Sequence, residues 1–338
     1  MNTKDLLLKL TSIHGPSGFE NQVIKEIQKI MEEYSDECHI TKLGSLICLK
    51  KGNGKGRIGL LAHVDQLGFV VSKIDEKGFA YVEKIGGWDP KVVAGQRAII
   101  YSNGKIFNGV FGFLAPHLQK SKDRKIMPNF DGLFLDISMN KKWKEINVGD
   151  IVMLDDIKGF ETQNFVFAPA LDNRASCTSI ILTAKMLQKM NHSFDVFFIF
   201  TTQEEIGGPG APTSAYFSEL DYAFVIDVTH GDEKIPGYAK IELNKGPAVG
   251  FGPVIDREFN EKVRKVAEKY NIKTQLEPIP RNSGTDTDEV QLVRTGIKTQ
   301  LLSIPLKYMH TPYEKVSITD VENTAKLMAF TIIEMEVQ

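Results

Sequence analysis

The sequence predicts an α/β fold with a mostly parallel central sheet flanked by helices and with an inserted small β-barrel domain. Strand-length apolar runs alternate with helical patterns near both ends of the chain, which is typical of a parallel sheet. Between them, short strands and turns recur without helical periodicity, which is typical of a small barrel or sandwich. We therefore predict one domain from residues 1–67 and 166–338, and an inserted barrel domain from residues 68–165.

The composition excludes some classes of partner. Of the 338 residues, 42% are hydrophobic and 25% are charged, as in soluble globular proteins. The net charge of -2 gives no electrostatic reason to expect nucleic acid or an anionic membrane as a partner. The longest apolar runs are strands, far shorter than the roughly 20 residues that a membrane-spanning helix needs.

The beginning of the sequence and the cysteines favour a cytoplasmic protein. The first ten residues lack the apolar core and the cleavage site of a secretory signal. Cys38, Cys48 and Cys177 form no C-x-x-C pair and no disulfide framework. We therefore expect all three cysteines to be reduced.

Two helices and an interrupted strand are predicted at the start of the chain. Asp5–Ser12 predicts a short amphipathic helix, which the motif HGPSGFE interrupts. Glu20–Tyr34 has apolar residues at helical spacing and predicts a second helix. Ile40–Lys50 predicts a strand that a turn at Leu43 and Gly44 divides.

The first strongly apolar strand, Arg57–Ala62, ends at His63-Val-Asp65. Side chains two apart in a strand point to the same side. The imidazole of His63 can therefore bind a metal while the carboxylate of Asp65 accepts its other N–H. A polar strand end at the surface would explain the same pair.

The predicted insert lies between Gly68 and Phe165. Short β-type runs such as Phe69–Ile74 and Ile106–Phe113 alternate with glycine-containing turns. The charged stretch Lys120–Lys125 predicts a solvated loop within this domain.

Acidic residues follow or interrupt three further apolar runs. Asp172 precedes a long helical pattern, so it is either the N-cap of that helix or a metal ligand. Val196–Thr201 predicts a buried strand that leads into Glu204 and Glu205, where a solvated loop is the alternative. Asp227 lies within a buried strand, where a carboxylate is costly unless backbone amides or a metal satisfy it.

The last third continues the alternation of strands and helices. Phe259–Tyr270 predicts a charged amphipathic helix, and Gln300–Ile304 predicts a strand that is followed by His310. The final helix is predicted from about Thr319 to Glu336, with a capping box between Thr319 and Glu322.

The polar residues that end these strands converge on one edge of the predicted sheet. Ligands of α/β sheets bind at the carboxyl ends of the strands. Two histidines and three carboxylates at one edge can hold two divalent ions, with ligand types that suit zinc or cobalt, or else manganese. The predicted ligands are His63, Asp172, Glu205, Asp227 and His310. Glu204, which is left free, can act as a base.

Several motifs along nearly the whole chain resemble one family, the TET-type dinuclear metallo-aminopeptidases, which are glutamyl-aminopeptidase-like and sometimes labelled endoglucanase-like. They are HGPSGFE, LAHVDQLGF, IGGWDP with GQR, PALDNR, TTQEEIGGPGA, IDVTH and MHTPYE. The resemblance implies hydrolysis of N-terminal residues from peptides with two bridged metal ions. It also implies a β-domain used for homo-oligomer assembly, often into tetrahedral dodecamers.

The resemblance also implies a role for each site residue. His63 and Asp227 would bind one metal and Glu205 and His310 the other, with Asp172 as the bridge. Glu204 would be the general base and Asp65 the carboxylate behind His63. The peptide bond between Asp172 and Asn173 would be strained and often cis. The chain departs from many members at Gln66, where they carry an acidic residue.

The predicted function is that of a metal-dependent aminopeptidase in which Glu204 takes the proton of the attacking water. Within enzymes, the rival is a deacylase or amidohydrolase that acts on N-acyl amino acids with the same metal pair. A glycoside hydrolase would need two carboxylates around a sugar and no metal. A non-catalytic, metal-dependent assembly protein would have no use for Glu204.

Overall fold

The computed structural model describes residues 1–54, 56–113, 116–118, 130, 133–155, 158–234 and 239–335. They form two compact units. The sheet unit comprises residues 1–66, 159–309 and 313–338, and the barrel unit comprises residues 67–158 and 310–312. The predicted loop Lys120–Lys125 lies outside the described residues. The predicted boundaries of independent domains stay a prediction.

The sheet unit is built on one large sheet. Its strands are β1 (Glu37–Ile40), β2 (Leu46–Lys50), β3 (Arg57–His63), β10 (Phe160–Glu161), β11 (Phe165–Ala168), β12 (Asp195–Thr201), β13 (Tyr222–His230), β14 (Ala248–Phe251), β15 (Gln275–Pro278), β16 (Lys298–Lys307) and β17 (Glu314–Ser317). They lie in the order β1-β2-β12-β3-β13-β16-β17-β11-β10, with β14 beside β16 and β15 beside β14. The central strands β12, β3, β13 and β16 run parallel. This confirms the predicted α/β class.

Helices cover both faces of this sheet. They are α1 (Thr3–Thr11), α2 (Asn21–Met31), α4 (Leu171–Leu187), α5 (Gly210–Ser218), α6 (Arg257–Lys269), α7 (Thr287–Val290) and α8 (Ile318–Glu334). Successive side chains of a strand point to opposite faces, so each central strand supplies two cores. Phe198 packs in the core with α1, α2, α4, α6 and α8, whereas Ile199 packs in the core with α5 and α7. Within the described residues, no helix has the length and apolar character needed to cross a membrane.

The start of α8 differs from the prediction. The helix begins at Ile318, directly after β17, and no side chain caps it. Thr319 therefore lies in the first turn rather than at the N-cap. Glu322 instead accepts a hydrogen bond from the hydroxyl of Thr3 at 2.7 Å. The predicted capping box is wrong.

The barrel unit is a closed, six-stranded antiparallel barrel, as predicted for the insert. Its strands are β4 (Gly68–Ile74), β5 (Phe79–Ile85), β6 (Arg97–Ser102), β7 (Lys105–Gly112), β8 (Phe134–Asp136) and β9 (Ile151–Leu154), with the short helix α3 (Pro90–Val93). They close in the order β4-β5-β8-β7-β6-β9. Alternate side chains fill the interior, among them Phe69, Phe111 and Leu135, which are fully buried.

The prediction that all cysteines are reduced was wrong for two of them. Cys38 and Cys48 are opposite each other in the antiparallel pair β1–β2, with their Cα atoms 4.1 Å apart, and they form a disulfide. The spacing of the cysteines did not predict this disulfide, because cysteines that face each other on paired strands need no C-x-x-C motif. Cys177 is free and buried, as predicted. The cytoplasmic location loses one of its arguments and stays a prediction.

Candidate metal centre

Three parallel strands bring the predicted site residues of the sheet unit to one edge. His63 ends β3, and Thr201, its partner in β12, is followed by the Glu204–Glu205 pair. Asp227 lies near the end of β13. His63 and Asp227 are 2% and 5% exposed, so these polar groups are nearly removed from water.

The side chains of His63, Asp172 and Asp227 form one compact group. His63 Nε2 lies 3.3 Å from Asp172 Oδ1 and 3.9 Å from Asp227 Oδ1. One ligand atom from each residue lies within 4.8 Å of the other two, and the ligand atoms of Asp172 and Glu205 also lie within 4.8 Å. This spacing and the mixed nitrogen and oxygen donors fit divalent metal ions. Asp172 lies near His63 and Asp227 and also near Glu205, which fits the predicted bridge between two ions.

The start of α4 presents Asp172 to this group. The peptide bond between Asp172 and Asn173 is cis, as predicted. Asp172 has non-helical backbone angles, and the residue at the N-cap is Ala170, so Asp172 does not cap the helix. Its backbone N–H donates to the carboxylate of Glu314 at 2.9 Å. The amide of Asn173 donates to the carbonyl oxygen of Ile226 at 2.9 Å. Both contacts fix the direction of the Asp172 side chain.

Asp65 joins His63 to the turn that carries the glutamates. Its Oδ1 lies 3.4 Å from His63 Nδ1. Its two carboxylate oxygens also accept the backbone N–H groups of Glu204 and Glu205, each at 3.1 Å. The hydroxyl of Ser17 donates to it at 2.7 Å. Asp65 therefore lies behind His63, and in addition it holds the backbone of the Glu204–Glu205 pair.

The opposite directions that we expect for the side chains of Glu204 and Glu205 assume an extended segment, on which neighbouring side chains alternate, and the structure differs from that assumption. Gln203 is left-handed, with a φ of 64°, and Glu204–Ile206 form a 3₁₀ turn. Successive side chains of a 3₁₀ turn diverge by about 120°. Glu204 Oε2 lies 4.0 Å from His63 Nε2, whereas the carboxylate of Glu205 lies near that of Asp172. The two side chains take different directions, but the turn rather than a strand separates them.

The electrostatics of the group favour cations. Burial raises the pKa of Asp227 well above its ordinary value, and Glu204 and Asp172 add to the rise against the effect of His63. Burial likewise raises the pKa of Glu204 to about 8, with His63 opposing and Asp286 and Glu205 adding to the shift. Burial alone would lower the pKa of His63, but the surrounding carboxylates outweigh it and raise the pKa. Bound divalent cations would relieve this crowding of carboxylates.

His310, the fifth predicted ligand, belongs to the barrel unit. The chain leaves the sheet unit after Met309 and returns at Tyr313. The ring nitrogen Nδ1 of His310 lies 3.3 Å from the carbonyl oxygen of Gly87 within the barrel unit. Its part in the ligand set stays a prediction, as do the metal-binding roles of the other four residues.

Several polar contacts of the site were not predicted. Ser17 and Glu20 lie in the HGPSGFE motif, to which the sequence analysis gave no role. Glu314 lies in MHTPYE, and its partner Asp172 is 142 positions away. Asp286 accepts from the hydroxyl of Thr201 at 2.8 Å, and burial raises the pKa of Asp286 to about 6. Only the motif membership of Ser17, Glu20 and Glu314 could have drawn attention to them.

Arg174 follows the cis peptide by one residue and is fully buried. Its guanidinium donates to the carbonyl oxygens of Val64 at 2.6 Å and Leu10 at 2.8 Å. A third nitrogen, Nη2, donates to Gln66 Oε1 at 3.4 Å. Burial lowers the pKa of Arg174 to about 10, and Asp65 and Glu20 are among the anions that oppose this. Arg174 thus ties the H-x-D strand end to α1.

Comparisons with known proteins show the family and the fold to which this chain is similar. A sequence model of the family described as M42 glutamyl aminopeptidase matches residues 44–327. The lysyl aminopeptidase of Pyrococcus furiosus is 32% identical over 342 residues, which cover 98% of this chain and 97% of the relative. Aminopeptidase APDkam598 from Desulfurococcus kamchatkensis has a TM-score of 0.90 at 31% identity, covering 98% of this chain and 95% of that one. The Pyrococcus horikoshii TET1 peptidase has a TM-score of 0.85 at 26% identity, covering 99% and 100%.

Proposed function

The chain belongs to the M42 glutamyl aminopeptidase family, and on the premise that it is therefore an aminopeptidase we propose that it cleaves N-terminal residues from peptides with two divalent metal ions. The observation that supports this most is the buried group of His63, Asp172 and Asp227, whose ligand atoms lie within 4.8 Å of one another. A non-catalytic buried cluster of this kind would have no need of the additional carboxylate of Glu204.

The ligand roles follow the resemblance and the spacing. His63 and Asp227 would hold one ion, Glu205 and His310 the other, and Asp172 would contact both. Zinc and cobalt suit these nitrogen and oxygen donors, and manganese is a third choice. When bound, such ions acidify a shared water and polarise the carbonyl of the scissile peptide.

The residues of this chain then carry the proton. Glu204, whose carboxylate lies 4.0 Å from His63 Nε2, takes the proton of the attacking water and returns it to the leaving amine. Burial and neighbouring acids raise the pKa of Glu204 to about 8, and a bound cation nearby would lower it and keep the base ionised. Asp65 holds the N–H groups of Glu204 and Glu205, so the base and the ligand move as one turn.

Three alternatives give results that differ from those of an aminopeptidase. A deacylase would use the same residues on N-acyl amino acids, so acetylated substrates separate it from an aminopeptidase. A metal-dependent assembly protein would bind the ions without turnover. A metal-free glycoside hydrolase would retain its activity in the presence of a chelator.

The direct test is a panel of aminoacyl-p-nitroanilides with acidic, aliphatic and basic residues, assayed after chelation and with zinc, cobalt or manganese added back. We expect turnover of at least one free-amine substrate, loss of turnover on chelation and its return with metal. Turnover of N-acetylated analogues alone would support the deacylase, and turnover that a chelator leaves intact would contradict a metal-dependent reaction.

Assembly forms a second part of the proposal. The Pyrococcus horikoshii TET1 peptidase can assemble into a tetrahedron or a large octahedral shell. By analogy, this chain would form a homo-oligomer, with a tetrahedral dodecamer as the first candidate and the inserted barrel as an assembly element. Removal of Gly68–Phe165 with a short linker should then give a smaller species in sedimentation. An intact protein that sediments as a monomer at micromolar concentration would contradict the proposal.

A further inference from the structure

The motif HGPSGFE ends in Glu20, a buried acid that is absent from the mechanism above. Glu20 occupies the N-cap position of α2, yet its side chain does not cap that helix. It is 5% exposed, and its Oε1 accepts hydrogen bonds from the N–H of Gly18 at 2.8 Å and of Gln203 at 3.1 Å. The second contact crosses 183 positions of the chain and ends at the residue before Glu204.

Gln203 is the residue on which the direction of the two glutamates depends. Its φ of 64° and ψ of 29° are left-handed, a conformation that costs a non-glycine residue about 1 kcal/mol or more. The chain turns sharply there, from the end of β12 into the 3₁₀ turn of Glu204–Ile206. A return of Gln203 to an ordinary conformation would swing both carboxylates away from His63 and Asp172.

Three consecutive backbone N–H groups of this turn donate to buried carboxylates. Glu20 accepts from Gln203, and Asp65 accepts from Glu204 and Glu205. A left-handed residue followed by a right-handed turn directs successive N–H groups into one concave site that suits an anion. Here the protein supplies the anions from two segments that are far apart in sequence. Asp65 also contacts His63, whereas the hydrogen bonds that Glu20 accepts come from Gln203 in the turn and from Gly18 in its own loop.

We propose that Glu20 is a positioning residue, which holds Gln203 in its left-handed conformation and thereby keeps the carboxylate of Glu204 aligned for proton transfer. This inference rests on the proposed function, because it acts through Glu204 as the base. The effect belongs in kcat rather than in KM, since Glu20 accepts its hydrogen bonds from the backbone of Gly18 and Gln203 and acts on Glu204 through that backbone.

The primary variant is Glu20→Ala, which removes the acceptor of the Gln203 N–H. We expect kcat to fall by about 10- to 100-fold with KM unchanged within about twofold, since small misplacements of catalytic groups have effects of this size. Glu20→Gln keeps one oxygen for both N–H groups and should restore most of kcat. Glu20→Asp keeps the charge but is one methylene shorter, so its kcat should fall as in Glu20→Ala. It takes the place of Glu20→Ala in these experiments if that variant does not fold.

A matched control separates this role from general stability. Asp320 is another buried acid, and it accepts hydrogen bonds from backbone N–H groups of another turn, those of Asn244 at 2.6 Å and Gly246 at 2.7 Å. Asp320→Ala should lower Tm and leave kcat unchanged. If kcat falls in proportion to Tm in both variants, the role of Glu20 is only structural and the proposal is wrong.

The decisive experiment combines Glu20→Ala with Glu204→Gln, with the best p-nitroanilide substrate and with bound metal measured in each protein. If Glu20 acts through the base, Glu20→Ala should change kcat by less than about threefold when Glu204 is already replaced. Equal losses in the two backgrounds would contradict the positioning role alone. A full kcat in the Glu204→Gln protein would contradict both the proposed base and this inference.

Discussion

The turn at Gln203 and the turn at Asn244 share a backbone conformation but differ in their surroundings. Both residues are left-handed with a φ of 64°. In each turn, backbone N–H groups donate to buried carboxylates. The acceptor is Asp320 at the Asn244 turn, and the acceptors are Glu20 and Asp65 at the Gln203 turn. Asparagine is one of the few residues that tolerate this conformation, whereas glutamine is not. Gln203 is followed immediately by two glutamates of the candidate site, whereas the residues immediately after Asn244, Lys245 and Gly246, are not predicted site residues.

The comparison shows where this fold gives up local stability. The Asn244 turn combines a suitable residue with one carboxylate. The Gln203 turn has an unsuitable residue and needs two carboxylates, which themselves lose hydration on burial. Strain of this kind persists where surrounding contacts enforce it, and it is common at functional sites. The difference between the turns is therefore a physical argument for function that is independent of the family resemblance.

The largest expected effect is on activity, and it compares Asp172 of the site with Asp320 of the Asn244 turn, which are both buried. Asp172→Ala should lower kcat/KM by more than about 10⁴-fold, because one carboxylate contacts both proposed ions. Metal analysis should find fewer than two ions per chain in this variant. Asp320→Ala is the control and should keep the metal content of the parent protein. Two ions still bound in Asp172→Ala would exclude the bridging role.

The second effect concerns the two neighbours in the Gln203 turn. Glu204→Gln keeps the size of the side chain and removes the proton acceptor, so kcat should fall by roughly 10²–10⁴-fold with the metal retained. Glu205→Gln should instead lower the affinity for one of the two ions, and excess metal should restore part of the activity. The measurement is metal stoichiometry beside turnover for both variants. The reverse pattern would show that the two roles are exchanged.

Much of the sheet unit could be predicted because its central strands are apolar on both faces. β12 and β13 are recognisable from composition alone, and the residues that end them point to a common edge. β14 and β15 were not predicted, because each has only four residues and because Gln275–Pro278 contains a single strongly apolar residue and a proline. The disulfide was missed because its two cysteines are ten positions apart and meet only through the pairing of β1 with β2.

The site was predictable only as far as local patterns reach. His63 and Asp227 stand out because they end apolar runs, and the structure brings them together with Asp172. The direction of Glu204 was assigned from an assumed strand, which the left-handed Gln203 replaces. Glu20 could not be assigned a role from its surroundings in sequence, because its partner is 183 positions away. Contacts of this range depend on the completed fold.

A smaller effect tests the carboxylate at the Asn244 turn. Burial raises the pKa of Asp320 from 3.8 to about 6, although two backbone N–H groups oppose the shift. The folded protein therefore holds the proton more tightly than the unfolded chain. The resulting stability is present below about pH 4 and is lost as the pH rises through about 6, which corresponds to about 3 kcal/mol. Asp320→Asn cannot ionise and should lack this loss.

The measurement for Asp320 is urea unfolding of the parent and of Asp320→Asn between about pH 4 and pH 7. The parent should lose free energy of unfolding relative to the variant as the pH rises, since only the parent must ionise this buried group. A difference between the two proteins that does not change with pH would contradict the prediction. All other titrating groups are common to both proteins and cancel in the difference.

The smallest effect removes the difference in residue type between the two turns. Gln203→Asn places a residue that tolerates the left-handed conformation at the strained position, so the free energy of unfolding should rise by about 0.5–1 kcal/mol. Asn244→Gln should lower the free energy of unfolding by slightly more than this, because Asn244 also accepts a hydrogen bond from Ser317 at 3.4 Å. Urea midpoints of the two variants and the parent provide the comparison. If Gln203→Asn is neutral or destabilising, Gln203 is not strained, and the carboxylates of Glu20 and Asp65 hold a turn that would form without them.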